Sequence, residues 1–418
     1  MKTGRPRRPQ IGKSVNMSKL GEMREAIRAD VPKTSTVQMY DCLEIVRFFQ
    51  CRDTKDRVFG MLSIFNRGRN NPFQIAYEKS EAEVFIEFAR YCLRHGDTVD
   101  ILSFAGEAKH ALIQDGLNLP TWVPDWRLPV RSPYFILNSF NAGHRLRSMV
   151  EVEHSSLELL SRGMMVDYVI GVVFDINSFK DPEQTQQPTY LEPQHVPRWY
   201  RQVHLVFTHC MRINWGSARQ YIAGGDSWEA LARTLILDRD DPIFNWDRDH
   251  PERRPDGGRP HEYFADFAGH MAAKWDPAPP EESESSEPPL ILILHQPREY
   301  FERAISISED KCFFITKMGY IGLGPKGMKP GDVICVLAGS SVPYVVRPLQ
   351  QDFGLFREGN VLIRREGYCQ MPNGELKPYI LREEEVKYRL IGECYAHGLM
   401  HGDVWDLDYA YFEDFRFI

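Results

Sequence analysis

The sequence has no apolar stretch long enough to cross a membrane. No hydrophobic run approaches the roughly 18 residues that a transmembrane helix needs, and the first residues lack the apolar core of a signal peptide. These absences predict a cytoplasmic protein with no membrane span. The net charge of −7 argues against a chain that coats nucleic acid, so no specific nucleic-acid partner is expected.

The sequence also lacks the short motifs that often mark catalytic or metal sites. It contains no G-x-S-x-G elbow, no G-x-x-x-x-G-K-[ST] loop, no H-E-x-x-H helix and no C-x-x-C pair. Its eight cysteines are scattered, which predicts reduced and mostly buried thiols. We therefore predict no catalytic residue, no cofactor and no metal ligand. A cysteine–histidine pair formed from distant residues stays open, since its members need only meet in space.

What the sequence does contain is enough apolar residues for a sizeable core. Of its 418 residues, 43% are hydrophobic, which is typical of globular proteins and compatible with two or three domains. The first segment, residues 1–35, is predicted to be a basic disordered leader. Its first twenty residues have no acid and carry Lys2, Arg5, Arg7, Arg8, Lys13 and Lys19.

Residues 36–150 are predicted to form a helical region. Apolar residues recur at helical spacing over 36–50, and a second helix is expected from about 54 to 65, with Asp53 at its start. Ser80 and Glu83 form a capping box for a third helix, because each side chain can bond to a backbone amide of the other residue. Gly96 is expected to end that helix in the left-handed conformation.

The rest of the chain is predicted to be richer in strands. Residues 151–178 are expected to be strands that join a β-rich domain at 290–418, and 179–236 to be a helical insertion with a capped start at Asp226. Residues 237–289 are interpreted as a flexible polar and acidic loop. The predicted fold class is α+β: a helical N-terminal part and a small antiparallel β-barrel or sandwich, with an inserted helical segment and a disordered acidic loop.

Gly322, Gly324 and Gly327 match the G-x-G-x-x-G pattern of dinucleotide sites. The pattern requires a helix at the last glycine, whose N-terminus would face the pyrophosphate. Here Pro330 and Gly331 follow at once and a strand is predicted from Val333. We therefore interpret the motif as a tight β-turn.

Cys394, His397 and His401 have the elements of a zinc site. A closed site needs four ligands, however, and no second pair with ligand spacing is present, so ordinary turn histidines are the preferred interpretation. The acid pair Asp53 and Asp56 is explained by helix capping.

Trp122 and Trp126 lie in a proline-interrupted extended segment. Large aromatic residues on a stiff backbone can anchor an interface. The alternative is that both rings pack this segment onto its own helices.

Four stretches, in this order, resemble the fungal heterokaryon-incompatibility (HET) proteins. They are Cys51–Gly60 with Tyr77–Ser80 after it, Leu119–Trp126, Trp228–Asp238, and Phe314–Arg347 closing with Gly392–Gly398. The resemblance extends over roughly residues 36–410. Such proteins usually begin with a HET domain containing blocks like YEALSYVWG and LWIDALCINQ, which are absent here. The chain is therefore expected to correspond to the region after that domain.

The resemblance implies a role in non-self recognition when hyphae fuse, followed by growth arrest and programmed cell death. Some TIR domains, to which the HET domain is similar, cleave NAD, but no residue here matches that domain. The leading hypothesis is a recognition or regulatory protein, not an enzyme, that contacts other incompatibility proteins. The alternatives are a hydrolase or NAD-consuming enzyme assembled from distant residues such as Asp53, Asp56, His397 or His401, and a metal-binding module.

Overall fold

The structure is a computed structural model. It describes residues 51–60, 62, 73–112, 116–127, 140–143, 146–153, 156–173, 203, 206–207, 220–238, 304, 307–308, 311–349, 363–370, 376–382, 386–407 and 411–418. The predicted basic leader, the predicted helix over 36–50 and the acidic loop over 276–289 lie outside these ranges. No helix among the described residues is long and apolar enough to cross a membrane.

Short helices make up the described part of the helical region. They are α1 (Asp56–Phe59), α2 (Glu81–His95), a 3₁₀ helix (Asp100–Phe104) and α3 (Glu107–His110), and α4 (Ser227–Leu235) follows later in the chain. A second 3₁₀ helix covers Asp403–Asp406.

The caps at the starts of α2 and α4 are the ones that the sequence predicted. The Ser80 hydroxyl accepts from the Glu83 amide while the Glu83 carboxylate accepts from the Ser80 amide, so the capping box is confirmed. Asp226 caps α4 by accepting from the next two backbone amides. The expected left-handed end of α2 is wrong, since Gly96 has φ −94° and ψ 153° and the chain leaves the helix in an extended conformation.

Eleven strands form one mixed sheet in the described part of the chain. They are β1 (Val150–Glu151), β2 (Leu159–Val173), β3 (Lys311–Thr316), β4 (Ile321–Pro325), β5 (Val333–Leu337), β6 (Tyr344–Pro348), β7 (Ile363–Gln370), β8 (Leu376–Arg382), β9 (Lys387–Glu393), β10 (Tyr395–Ala396) and β11 (Tyr411–Phe417).

Strand β2 organises this sheet. Its first half pairs with β11, its middle with β5 and its last residues with β3, all antiparallel. Following the ladders from β2 through β5, β6, β9 and β11 leads back to β2. The strand that precedes α4 is thus built into the sheet formed by the end of the chain.

The expectation of a purely antiparallel sheet is wrong at one place. Strand β11 lies parallel to both β8 and β9. Parallel neighbours need a connection that carries the chain back along the sheet. Residues 394–407, which include β10 and the second 3₁₀ helix, lie in that connection between β9 and β11.

Strands β3 and β5 are buried on both faces. Along β3, Phe313 and Ile315 belong to the core that also contains the helices, whereas Cys312 and Phe314 belong to a second core on the opposite face. Strand β5 alternates in the same way. This double burial explains why both strands are unbroken apolar runs in the sequence.

Two sets of hydrogen bonds join the helical region to the sheet. The Asp100 carboxylate accepts from the amide and hydroxyl of Ser341, both at 2.6 Å, at a fully buried position. Thr121 donates through its amide and hydroxyl to the Ile418 carbonyl, and its hydroxyl accepts from the Leu390 amide. These bonds fix the helices on the sheet because breaking them would leave buried polar groups without partners.

Candidate functional site

The two parts of the first stretch that carries the resemblance, Cys51–Gly60 and Tyr77–Ser80, meet at the start of α2. We call this the polar junction; it consists of Arg52–Asp56, Tyr77, Lys79 and Glu81. The Lys55 ammonium donates to the carbonyls of Tyr77 and Lys79, at 2.8 and 3.1 Å. The Thr54 hydroxyl donates to the Glu81 carboxylate. One half-buried lysine therefore holds the loop before α1 against the segment before α2.

An open depression of about 560 Å³ lies in the polar junction. Its lining alternates in charge, with Arg52 and Lys55 among three carboxylates, those of Asp53, Asp56 and Glu81. Asp53 accepts from the Lys55 amide at 2.9 Å. That bond belongs to the turn before α1. The helix-capping explanation does not extend to Asp56, because the start of α1 has no side-chain cap and the Asp56 carboxylate accepts from the distant Tyr77 hydroxyl.

Tyr77 is the exposed aromatic residue of the polar junction, with 52% of its surface accessible. Its ring packs edge-on against Phe59 at 4.9 Å, and its hydroxyl donates to Asp56 at 2.5 Å. The hydrogen bond to Asp56, followed by partial burial and the charge of Asp53, raises the pKa of Tyr77. The side chain is therefore held in one orientation while it faces solvent.

The second stretch, Leu119–Trp126, contacts α1, which follows the polar junction. The Arg57 guanidinium donates to the Trp126 carbonyl at 2.5 Å. Both tryptophans of this stretch are buried, Trp122 at 0% and Trp126 at 4% exposure. The Trp126 ring contacts Phe88 and Phe104. The interpretation that they pack the segment onto its own helices is confirmed, and they are not exposed anchors.

A second meeting place joins α4 and its hairpin to the end of β9. We call it the buried junction; it consists of Tyr221, Tyr395, His397 and Gly398. The Tyr221 hydroxyl donates to the His397 carbonyl at 3.0 Å and accepts from the Ile321 amide at 3.1 Å. The Tyr395 hydroxyl lies 2.9 Å from His397 Nδ1. The last stretch of the resemblance thus packs with Tyr221 in a tyrosine–histidine–tyrosine cluster.

Burial controls the ionisation of the buried junction. Burial lowers the pKa of His397 to about 4, against smaller opposing effects of Asp238, Glu229 and Asp403. Burial also raises the pKa of Tyr395 well above its usual range. A neutral imidazole next to a neutral phenol is the expected state at neutral pH.

The structure does not bring the three candidate zinc ligands together. Cys394 is buried, and His397 is bonded to Tyr395. The ring of His401 packs against Phe140 instead, at 5.6 Å. Over the described ranges, no three His, Cys, Asp or Glu side chains converge in a way that could hold a metal ion.

The glycine motif lies in strand β4 and in the turn after it. A Cβ at Gly322 would lie 2.1 Å from the Tyr395 carbonyl oxygen, so this glycine allows β10 to approach β4. Gly327 has φ +95° in the following turn. The turn interpretation is right for Gly327, while Gly322 and Gly324 serve strand packing. Strand β5 follows, where a nucleotide site would require a helix.

Three cysteines of the sheet region are buried thiols. Burial raises the pKa of Cys312 to about 12 and raises the pKa of Cys335 and Cys394 well above the usual range. A nucleophilic cysteine needs a lowered pKa. These three side chains therefore act as small core residues.

Comparison with known proteins adds two matches. A family model described as the Het-6 beta-barrel domain matches residues 294–371. Heterokaryon incompatibility protein 6, OR allele, from Neurospora crassa is 25% identical over 373 residues, which is 79% of this chain and 50% of the relative. The chain is thus similar to a fungal heterokaryon-incompatibility protein over most of its length. No solved structure matches it.

The chain spans about half the length of that relative. The described part of its domain match contains β3 to β7, including the turn that holds Gly327. The polar junction lies outside the matched domain. Sequence reasoning found the stretches that meet in both junctions but missed the contacts that Lys55 and Tyr221 make there. A lysine before a helix and a tyrosine before a Gly-Gly turn carry no sequence signal of a distant partner.

Proposed function

We propose that this chain acts in fungal non-self recognition and in the regulation of programmed cell death. It works through contacts with other proteins, in particular other incompatibility proteins, in the cytoplasm and without catalysis of its own. The observation that carries the proposal is the similarity to heterokaryon incompatibility protein 6 over 79% of the chain.

The polar junction supports a role in protein contacts. Tyr77 and Ile75 are 52% and 59% exposed, and the exposed Arg52 lines the depression. Tyrosine and arginine are over-represented among residues that dominate binding energy. Because hydrogen bonds already hold Tyr77 in place, little side-chain entropy would be lost when a partner binds.

We also propose that the sheet is a closed barrel. The support is the circuit of ladders that leaves β2 through β5 and returns to it through β11. The match to the Het-6 beta-barrel domain over residues 294–371 supports the same arrangement. Closure would remove exposed strand edges from this part of the sheet.

The test is inducible expression of the 418-residue chain in a filamentous fungus, scored for growth arrest and vital-dye uptake. A second strain expresses the same chain fused behind a HET domain. A third carries R52A and Y77A in the fused form, and a matched control carries K317Q, which changes an exposed lysine in the turn between β3 and β4. Circular dichroism of the purified variants checks that each is folded.

We expect death only from the fused forms and less death from the R52A/Y77A form, with the K317Q control unchanged. Death caused by the 418-residue chain alone would contradict the proposal and restore the enzyme hypothesis. Equal killing by the folded R52A/Y77A form would contradict the part assigned to the polar junction.

A further inference from the structure

The turn after β4 and its neighbouring strands carry a concentration of basic residues. We call it the basic surface; it consists of Lys311, Lys326, Lys329, Arg347 and Arg389. Lys311 on β3 is the register partner of Pro325, the last residue of β4, and Arg347 on β6 is the partner of Arg389 on β9. Strand pairing therefore places residues from four parts of the sequence at one end of the sheet.

The turn itself is held by Arg347. Its guanidinium donates to both oxygens of Asp332, at 2.7 and 2.9 Å, and to the Gly327 carbonyl at 2.7 Å. Gly327 and Gly331 have φ values of +95° and +93°, which glycine adopts without steric cost. The geometry keeps Lys326 and Lys329 exposed on a short, fixed turn.

The basic surface has the opposite sign to the whole chain. Two of the described carboxylates that pair with its cations are Asp332, which is bound by Arg347, and Glu107, which is 3.9 Å from Arg347 and 3.8 Å from Arg389. The complete chain has a net charge of −7. A local positive field on an acidic protein attracts an anionic partner to one place and repels it elsewhere.

We infer that the basic surface is a docking site for an acidic, glutamate-rich segment of a partner protein. Charge complementarity carries this inference, together with the fixed turn that presents the two lysines. A protein segment is favoured over nucleic acid because the net charge of −7 would repel a long phosphate backbone beyond this small area. The inference rests on the proposed function, since it names the chemistry of one protein contact.

The test measures fluorescence anisotropy of a labelled hexaglutamate peptide added to the full chain, with hexaglutamine as the peptide control. The K326Q/K329Q variant removes the two exposed cations of the turn. K317Q removes an exposed lysine at the other end of β3 and is the matched control. An oligonucleotide of equal charge is titrated in parallel, at about 0.05 M and about 0.5 M salt.

We expect hexaglutamate to bind at low salt and K326Q/K329Q to weaken binding by about three- to tenfold, as the loss of two exposed charge contacts predicts. K317Q should bind like the wild type. Absence of binding, or equal weakening by K317Q, would overturn the inference. Tighter binding of the oligonucleotide than of hexaglutamate, weakened by K326Q/K329Q to the same extent, would also overturn the inference. That outcome would assign the surface to nucleic acid.

One further experiment distinguishes binding of a partner segment from binding of the chain's own acidic loop. A variant with Glu281, Glu282, Glu284 and Glu287 all changed to Gln tests occupation by that loop. Binding of hexaglutamate to this variant but not to the wild type would mean that the loop occupies the surface, and would overturn the assignment to a partner. Because the readout is peptide binding, this inference can fail while the cell-death test of the proposed function succeeds.

Discussion

The polar junction and the buried junction show two ways in which distant stretches of one chain are joined. In the polar junction, Lys55 and Tyr77 make charged or exposed contacts around an open depression. In the buried junction, Tyr221 and Tyr395 bond to His397 inside the core. Exposed contacts are screened by water and salt, whereas buried polar groups lose much free energy when a partner is removed. The stretches that carry the resemblance thus contribute to one exposed surface, the polar junction, and to one structural contact, the buried junction.

The largest effect is expected at Gly398. G398A should lower the free energy of unfolding by about 3 kcal/mol, because φ is +82° and the new Cβ would lie 2.3 Å from the Cβ of Ala223. Thermal and urea unfolding measure the change. The control is G224A in the turn that contains Ala223, where φ is +93° with open space around it, so only the backbone strain applies. Equal losses of unfolding free energy in G398A and G224A would show that Gly398 is not tightly packed against Ala223.

A pH effect is expected next, and it belongs to the buried junction. His397 has a folded pKa of about 4, below its ordinary value of 6.5, so between these values the unfolded chain binds more protons. Stability should be full above pH 6.5 and fall by roughly 3 kcal/mol toward pH 4. Urea unfolding across this range measures the slope, and H397Q should reduce it. His110, whose pKa burial also lowers, should leave a remaining slope of the same sign. An unchanged slope in H397Q would place His397 in a solvated environment.

The smallest effect compares two tyrosine hydroxyls directly. Y221F should cost about 1.5 kcal/mol, because it leaves the His397 carbonyl and the Ile321 amide without their shared partner. Y77F removes an exposed bond to Asp56 and should leave unfolding unchanged within error. The same urea titration measures both variants. A loss at Tyr77 as large as that at Tyr221 would remove the distinction between the two junctions.

Sequence reasoning succeeded where a local rule sets the structure. The capping of α2 by Ser80 and of α4 by Asp226 depends on neighbouring residues, and both were predicted. The strand from Val333, β5, was also predicted, because burial on both faces leaves an unbroken apolar sequence.

It failed where the outcome depends on distant parts of the chain. The end of α2 at Gly96 is extended, since the neighbouring Asp97 and Thr98 lead directly to Val99, whose amide donates to the Gly339 carbonyl. The parallel placement of β11 beside β9 depends on the connection after β9, which carries the chain back along the sheet. The contacts of Lys55 and Tyr221 likewise join residues that the sequence separates widely, so no local pattern could reveal them.

Strand β2 has a consequence for the order in which this protein can fold during synthesis. Its register partners include Val336 on β5 and Phe417 on β11, which leave the ribosome long after β2 itself. Contacts between such distant residues form slowly, because a large loop must close before they stabilise anything. Until β11 is made, β2 presents unpaired backbone amides and carbonyls to other chains. A nascent chain of this kind therefore depends on protection from aggregation until its last strand is complete.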